Sequence, residues 1–210
     1  MKNNTFLNEP WLKWAIDIQS IAQAGIEYTK DIYDKERYEM LRDIAAEMIS
    51  FKTEIPKDKV YNLFCNEKGY QTPKIDTRGA VFKDGKILLV HENTGKWSLP
   101  GGWCDVLESV ASNTVKEVRE ESGYNVKCDR VIALHDRNKR NKPLYVYGIC
   151  KIFVQCELID GGFVENIETS EAKFFGLNEL PELDEAKCTK EQVKMCFDAY
   201  NDSNLKVILD

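Results

Sequence analysis

Residues 99–124 read LPGGWCDVLESVASNTVKEVREESGY. Pro100-Gly101-Gly102 calls for a tight backbone free of side chains, where amides and carbonyls can approach a ligand closely. Ser109 or Ser112 can cap a helix over residues 110–122, and Gly123 is placed to end it. On such a helix Glu117, Glu120 and Glu121 stand at i, i+3 and i+4, so three carboxylates share one face. They repel one another, and they lie toward the helix C-terminus, where the dipole disfavours negative charge. Two readings follow from spacing alone. One is a site for a hard divalent cation, Mg²⁺ or Mn²⁺ in preference to zinc, because every donor is oxygen. The other is a solvated acidic face with Lys116 and Arg119 as partners.

The chain around this stretch is organised in two parts. Upstream, Trp11, Trp14/Ala15, Ile18, Ile21/Ala22 and Gly25 recur at helical spacing, and Asp34 is the expected N-cap of a second helix with Leu41, Ile44, Ala45, Met48 and Phe51 on one side. Pro56 suits the first turn of a short third helix that turns Val60, Leu63 and Phe64 inward. These stripes read as core, with packing against a second subunit as the other use. Gly69 to Pro73 reads as a linker. Beyond it, residues 78–82, the turn Asp84-Gly85 and residues 86–91 form an expected hairpin. Residues 131–134 and 144–158 are further strand candidates, and residues 189–200 an amphipathic helix with Val193, Cys196 and Phe197 inward. The expectation is an α/β layered domain over residues 69–210, preceded by a small all-helical domain over residues 1–68.

Bulk properties narrow the function classes. With 29 Lys and Arg against 35 Asp and Glu, the net charge of -6 argues against a duplex nucleic-acid partner. No run of eighteen apolar residues exists, and residues 1–10 lack the apolar stretch of a secretory signal, so a cytoplasmic protein without a membrane span is expected. Seven cysteines without a CxxC pair read as reduced thiols, in place of a disulfide framework or a zinc site.

The positions around the glutamates resolve their two readings. The segment resembles the Nudix box, G-x5-E-x7-R-E-U-x-E-E-x-G-U with U apolar: Gly102, Glu108, Glu117, Val118, Glu120, Glu121 and Gly123 match, and Tyr124 fills the last apolar position. Lys116 stands where the pattern has Arg; it keeps the charge and loses the bidentate fork, which should tune activity without removing it. The resemblance implies a Nudix-type α/β/α sandwich with a mixed sheet and hydrolysis of the diphosphate bond of a nucleoside diphosphate linked to a group X. It also implies that Glu117, Glu120 and Glu121, with a backbone carbonyl of Gly101 or Gly102, hold Mg²⁺ or Mn²⁺, and that Glu108 supports them. In this family the general base is a box glutamate, such as Glu117 or Glu120, or a carboxylate of a later loop. Glu165, Glu168 and Glu171 are the loop candidates, with Glu168 first among them.

The helical extension, the box and the stretch GFVENIETSEAKFFGLNELPEL resemble a bacterial Nudix subgroup described as ADP-ribose or CDP-choline pyrophosphatases. That likeness implies a small nucleotide-derived substrate and a homodimer. The basic run 136–142, with Arg137 and Lys139, reads as either a substrate contact or a solvated hairpin tip. Trp103, beside the Gly-Gly turn, is the first candidate for stacking on a nucleobase. His91 and His135 receive no role. Two other readings stand beside the leading one. An RNA-processing hydrolase is favoured by the basic run and opposed by the net charge. A non-catalytic ligand sensor is opposed by the complete set of box glutamates and by an N-terminal region, through Lys74, with eleven Lys and Arg against twelve Asp and Glu.

Overall fold

A computed structural model describes residues 9–210, the Leu63 side chain excepted. The expectations for residues 1–8 and for Leu63 lie outside the described residues. The chain divides into two compact units: Met1–Pro73 with Tyr145–Gly148, and Lys74–Leu144 with Ile149–Asp210. The segment 69–73, read as a linker, thus clusters with the helices.

The first unit is a helical hairpin with a short third helix: α1 (Pro10–Tyr28), α2 (Ile32–Thr53) and α3 (Lys57–Phe64). The cap of α2 is Asp31, three residues earlier than expected, because its carboxylate accepts from the Tyr33 and Asp34 amides. Gly25 lets the hairpin close, since a Cβ there would meet the Tyr38 ring at 2.5 Å. Ala15, Ala45, Ala46, Ile49, Val60 and Phe64 form the core. The apolar stripes are wider than that core: Leu12, Gln19 and Gln23 take the buried positions on α1, while Trp14, Ile21, Leu41, Ile44 and Phe51 remain exposed. Gln19 and Gln23 are tolerated inside because their amides bond to each other and to the Phe64 and Gly69 carbonyls.

The second unit is a mixed sheet between two helices. Its strands are β1 (Lys74–Lys83), β2 (Lys86–Glu92), β3 (Trp97–Ser98), β4 (Tyr124–Asp136), β5 (Ile149–Gly161), β6 (Thr169–Phe175) and β7 (Ile208–Leu209), in the order β3-β2-β1-β5-β4-β7 with β6 also on β2. The β1–β5 and β4–β7 pairs are parallel and the others antiparallel. Asp84 and Gly85, with φ of 51° and 72°, make the expected tight hairpin between β1 and β2. The strand expected over 144–158 begins only at Ile149, because 145–148 belongs to the helical unit. β5 is buried on both faces over most of its first half, as a central strand with a parallel neighbour should be.

Helix α4 (Val110–Ser122) covers one sheet face through Val118 against Val81, Leu88 and Val154. Helix α6 (Lys190–Asn201) covers the other through Val193, Cys196 and Phe197 against Phe82, Ile132 and Phe153. Between β4 and β5 a four-residue turn of helix, α5 (Arg137–Arg140), occupies the basic run. All seven cysteines are free thiols. No helix among the described residues is long and apolar enough to cross a membrane.

Candidate active site

The glycine-rich turn is built onto the sheet before the helix begins. Its backbone runs beside the first half of β1, with the Gly79 amide on the Pro100 carbonyl (2.8 Å), Thr77 on Gly102 (2.9 Å) and Cys104 on Ile75 (2.9 Å). Glycine is required where this approach is closest: at Gly101, φ is 145° and a Cβ would stand 1.9 Å from the Thr77 carbonyl oxygen. At Gly102 a Cβ would lie 2.7 Å from Glu117 Oε2, so the missing side chain makes room for a box carboxylate. The Gly102 carbonyl is engaged by Thr77, which keeps Gly101 as the candidate carbonyl donor.

Helix α4 then presents the glutamates. Ser109 and Ser112 form a reciprocal capping box, and Gly123 ends the helix in the left-handed conformation, as the sequence indicates. Gly79 lets α4 sit down on β1, since a Cβ there would meet Val118 Cγ2 at 2.5 Å. The three glutamates take different environments. The Glu120 side chain is 57% exposed and the Glu117 side chain 13%. Burial raises the Glu117 carboxyl above its usual range; Glu120 and Glu168 add to this, and Lys116 and Arg78 oppose it. Glu121 turns inward, accepts the Gly101 amide at 2.8 Å, and is raised to about 8 by burial against the pull of Arg78.

Beneath the turn lies a buried ionic network that the sequence reading missed. Arg78 donates to Asp76 and, at 3.2 Å, to the Leu99 carbonyl. Lys151 pairs with Asp76 at 3.4 Å and donates to the Lys187 carbonyl, while Lys187 pairs with Glu92. The available signal was a charged residue at alternating strand positions otherwise facing apolar core: Asp76 and Arg78 precede Ala80 and Phe82 on the same face of β1.

The loop that carries Glu168 is anchored by contacts that spacing does not reveal. The loop before β6 is tied to the end of α4: Thr169 Oγ1 and Asn166 Nδ2 both donate to the Glu121 carbonyl, and Asn166 Oδ1 accepts the Glu168 amide at 2.9 Å. This brings Glu168 into the field of Glu117. Glu165 is exposed, and Glu171 pairs with Lys173 on β6. Trp103 is 49% exposed beside the turn, and Glu108 lies in the bend that precedes α4. Lys116 reaches Asp105 at 2.7 Å, with Glu120 and Glu117 at 3.7 and 3.9 Å.

The basic run departs from its reading as a hairpin tip. Arg137 is 1% exposed and its guanidinium is taken up by the Pro143 and Ala186 carbonyls and by Asn138. It holds main chain together and presents no face to a substrate. Lys139 is exposed on α5 and borders a separate cavity beside α6.

Glu117, Glu120 and Glu121 offer only hard oxygen donors, and Glu120 repels Glu117 in a way a divalent cation would relieve, so the residues present fit Mg²⁺ or Mn²⁺. Among the described residues no three acidic, histidine or cysteine side chains close into a cage. An open arrangement is what Mg²⁺ uses when one or two carboxylates and the substrate phosphates share its coordination.

Comparison with known proteins gives two family matches along the chain. Residues 9–64 match a UDP-X-like, N-terminal oligomerisation domain, and residues 73–195 match the NUDIX domain. The chain is 44% identical over 201 residues to YjhB of Bacillus subtilis (strain 168), named as a candidate ADP-ribose pyrophosphatase, covering 95% of this chain and 97% of that protein. It is similar to the crystal structure of an ADP-ribose pyrophosphatase from Streptococcus suis at 47% identity and a TM-score of 0.62, covering 66% of this chain and all of the other. A crystal structure of a UDP-X diphosphatase aligns at 32% identity and a TM-score of 0.62, covering 95% of this chain and 98% of the other.

Proposed function

Since the chain belongs to the NUDIX family and is a pyrophosphohydrolase of it, we propose that its substrate is ADP-ribose, cut in the presence of Mg²⁺ or Mn²⁺ to AMP and ribose 5-phosphate. The observation that supports the reading is the seating of two box glutamates against the glycine-rich turn: Glu117 Oε2 fills the space a Cβ of Gly102 would take, and Glu121 accepts the Gly101 amide at 2.8 Å. The likeness of nearly the whole chain to YjhB and the 47% identity to the Streptococcus suis enzyme favour ADP-ribose over CDP-choline as the member of the class.

When bound, the divalent ion supplies neutralisation of the diphosphate and acidification of the attacking water. Glu117 and Glu120, with the Gly101 carbonyl, would hold it, and Glu168 would orient the water and accept its proton. Glu121 fixes the turn from beneath, because its carboxylate is already committed to the Gly101 amide. Lys116 screens Glu117 and Glu120 from one another. The exposed ring of Trp103 is available to a substrate at the rim of the same turn.

The helical unit is the means of self-association. Trp14, Ile21, Met40, Ile44 and Phe51 are 47–80% exposed, far more apolar surface than a small monomeric unit usually leaves to water. A homodimer through these helices covers it.

A panel of ADP-ribose, CDP-choline and UDP-sugars, with phosphomonoester products measured in Mg²⁺ and in Mn²⁺, tests the reading. Turnover of ADP-ribose above the others is the expected outcome. Preference for another member by a factor of about ten, equivalent to 1.4 kcal/mol of transition-state discrimination, overturns the substrate and leaves the reaction class in place.

A further inference from the structure

Cys128 on β4 and Cys156 on β5 are directly paired across the antiparallel ladder. Their sulfurs lie 3.9 Å apart, and both side chains belong to the apolar layer that Val118 of α4 packs against. The backbones are already spaced for a covalent bridge. Opposed residues of an antiparallel pair have Cα atoms about 4.5–5.5 Å apart, and disulfides span about 4.4–6.8 Å. Side-chain rotation is then enough to close the sulfurs to the ~2.05 Å of a disulfide. The ladder has slack at this point as well, because its register shifts between Cys128 and Arg130.

The two thiols differ in the way that an ordered reaction needs. Cys128 is partly exposed, whereas Cys156 is 4% exposed. Donation from the Cys156 thiol to the Cys128 sulfur lowers the Cys128 pKa, with burial opposing; the same contact, with burial, raises that of Cys156. The outer sulfur is thus suited to attack and the inner one to resolve. Other cysteines lack one half of this arrangement. Cys188 and Cys196 are buried with raised thiols, and the partly exposed Cys104 is raised by burial and by Asp105 and Glu108.

We propose that Cys128 and Cys156 form a reversible oxidation site that takes a peroxide as oxidant and yields a cross-strand disulfide. The Cys128 thiolate attacks one oxygen of hydrogen peroxide and the O–O bond breaks. The other oxygen leaves as hydroxide, which takes up the proton Cys128 released, and Cys128 becomes a sulfenic acid. The Cys156 sulfur then attacks the Cys128 sulfur, the S–O bond breaks, and the Cys156 proton goes to the departing hydroxyl as a second water. Two thiols lose two electrons and one peroxide gains them. The bridge draws Cys128 from the Ala111 carbonyl in the first turn of α4, which its thiol meets at 3.4 Å. It also joins residues 28 positions apart, which restricts the unfolded chain and makes the oxidised fold the more stable one.

The reduced full-length protein, freed of reductant, is treated with hydrogen peroxide, alkylated and digested with trypsin. Trypsin isolates Cys128 in residues 128–130 and Cys156 in residues 152–173, each with a single cysteine. These peptides should appear joined, in a protein that still runs as a single chain on a non-reducing gel. Two of the seven thiols should be lost, and dithiothreitol should restore them. The thermal midpoint should rise by about 5 °C on oxidation. Cys156→Ser keeps a donor beside Cys128 and removes the resolving sulfur, so its midpoint should not rise and its Cys128 should stop as a sulfenic acid that dimedone traps. In Cys128→Ser no such adduct should form at Cys156. Should either variant fail to fold, the peptide map and midpoint of the wild type decide. Peptides that stay separate, a bridge between other cysteines, a link only between two chains, or a wild-type midpoint that does not rise overturns the proposal.

Discussion

The Gly101 amide donates to Glu121 Oε2 across 2.8 Å, joining the turn that precedes α4 to the last turn of that helix. One glutamate of the box thereby serves as a structural acceptor, while Glu117 packs beside Gly102 and Glu120 remains exposed. Replacing Glu121 by Ala removes the acceptor and leaves a buried amide and the nearby Arg78 without their carboxylate. Unfolding free energy should fall by about 1–3 kcal/mol, and kcat by about 100-fold from the misplaced turn. Urea titration and steady-state kinetics check both, and an unchanged stability would show that the clamp contributes nothing.

Gly102 makes a separate prediction, because its missing side chain is what admits Glu117. Gly102→Ala places a methyl group 2.7 Å from Glu117 Oε2, closer than contact distance. Displacing that carboxylate by about 1 Å should cost about 100-fold in kcat. The effect should appear with little change in the thermal midpoint, since Glu117 can swing toward solvent. A fully active Gly102→Ala protein would remove Glu117 from the machinery.

How much of this was legible in the sequence depends on whether the signal was local. The bounds of α4 could be read because Ser109, Ser112 and Gly123 act within one turn of the helix they delimit. The α2 cap went to Asp31 instead of Asp34 because two nearby aspartates offer the same chemistry, and only the backbone path chooses between them. Arg137 read by composition as either a substrate contact or part of a solvated tip; its buried guanidinium donates to the Ala186 carbonyl, 49 residues away. Lys151 and the anchoring of the Glu168 loop through Thr169 were equally invisible, since each depends on pairing between distant strands and loops, whereas Asp76 and Arg78 were marked by charge on the core-facing side of β1. In α1 and α2 the periodicity gave the helices correctly and overstated the internal core, because one face stays exposed.

Lys151 gives the pH dependence. Burial lowers its ammonium to about 8, with Arg78 adding and Asp76 opposing. Between about 8 and the ordinary lysine range the unfolded chain binds more protons at this site than the folded one, so stability rises with pH there. The slope at this site approaches about 1.4 kcal/mol per pH unit. Other groups titrate in the same window, so the quantity to measure is the difference between the wild type and Lys151→Met. Urea titrations at pH 7.5 and 9.5 should show the wild type gaining on the variant as pH rises. A constant difference would mean that Lys151 is not held below its ordinary value.

The exposed faces of the helical unit predict the oligomeric state. Ile21 and Phe51 are 61% and 80% exposed, and charge at either is harmless in a monomer and destructive in an apolar interface. The wild type should sediment as a dimer, and Ile21→Glu with Phe51→Glu as a folded monomer of half the mass. A double variant that still sediments as a dimer would place the interface elsewhere.

The most direct test follows ADP-ribose by ³¹P NMR with the wild type, with the wild type after chelation, and with Glu120→Gln. The account predicts that the diphosphate signals give way to those of AMP and ribose 5-phosphate in Mg²⁺ or Mn²⁺. It predicts no conversion after chelation, and a rate about 100-fold lower or less in Glu120→Gln, the scale of losing one charge-stabilising group. An intact diphosphate in both metals, or undiminished turnover by Glu120→Gln, would contradict it.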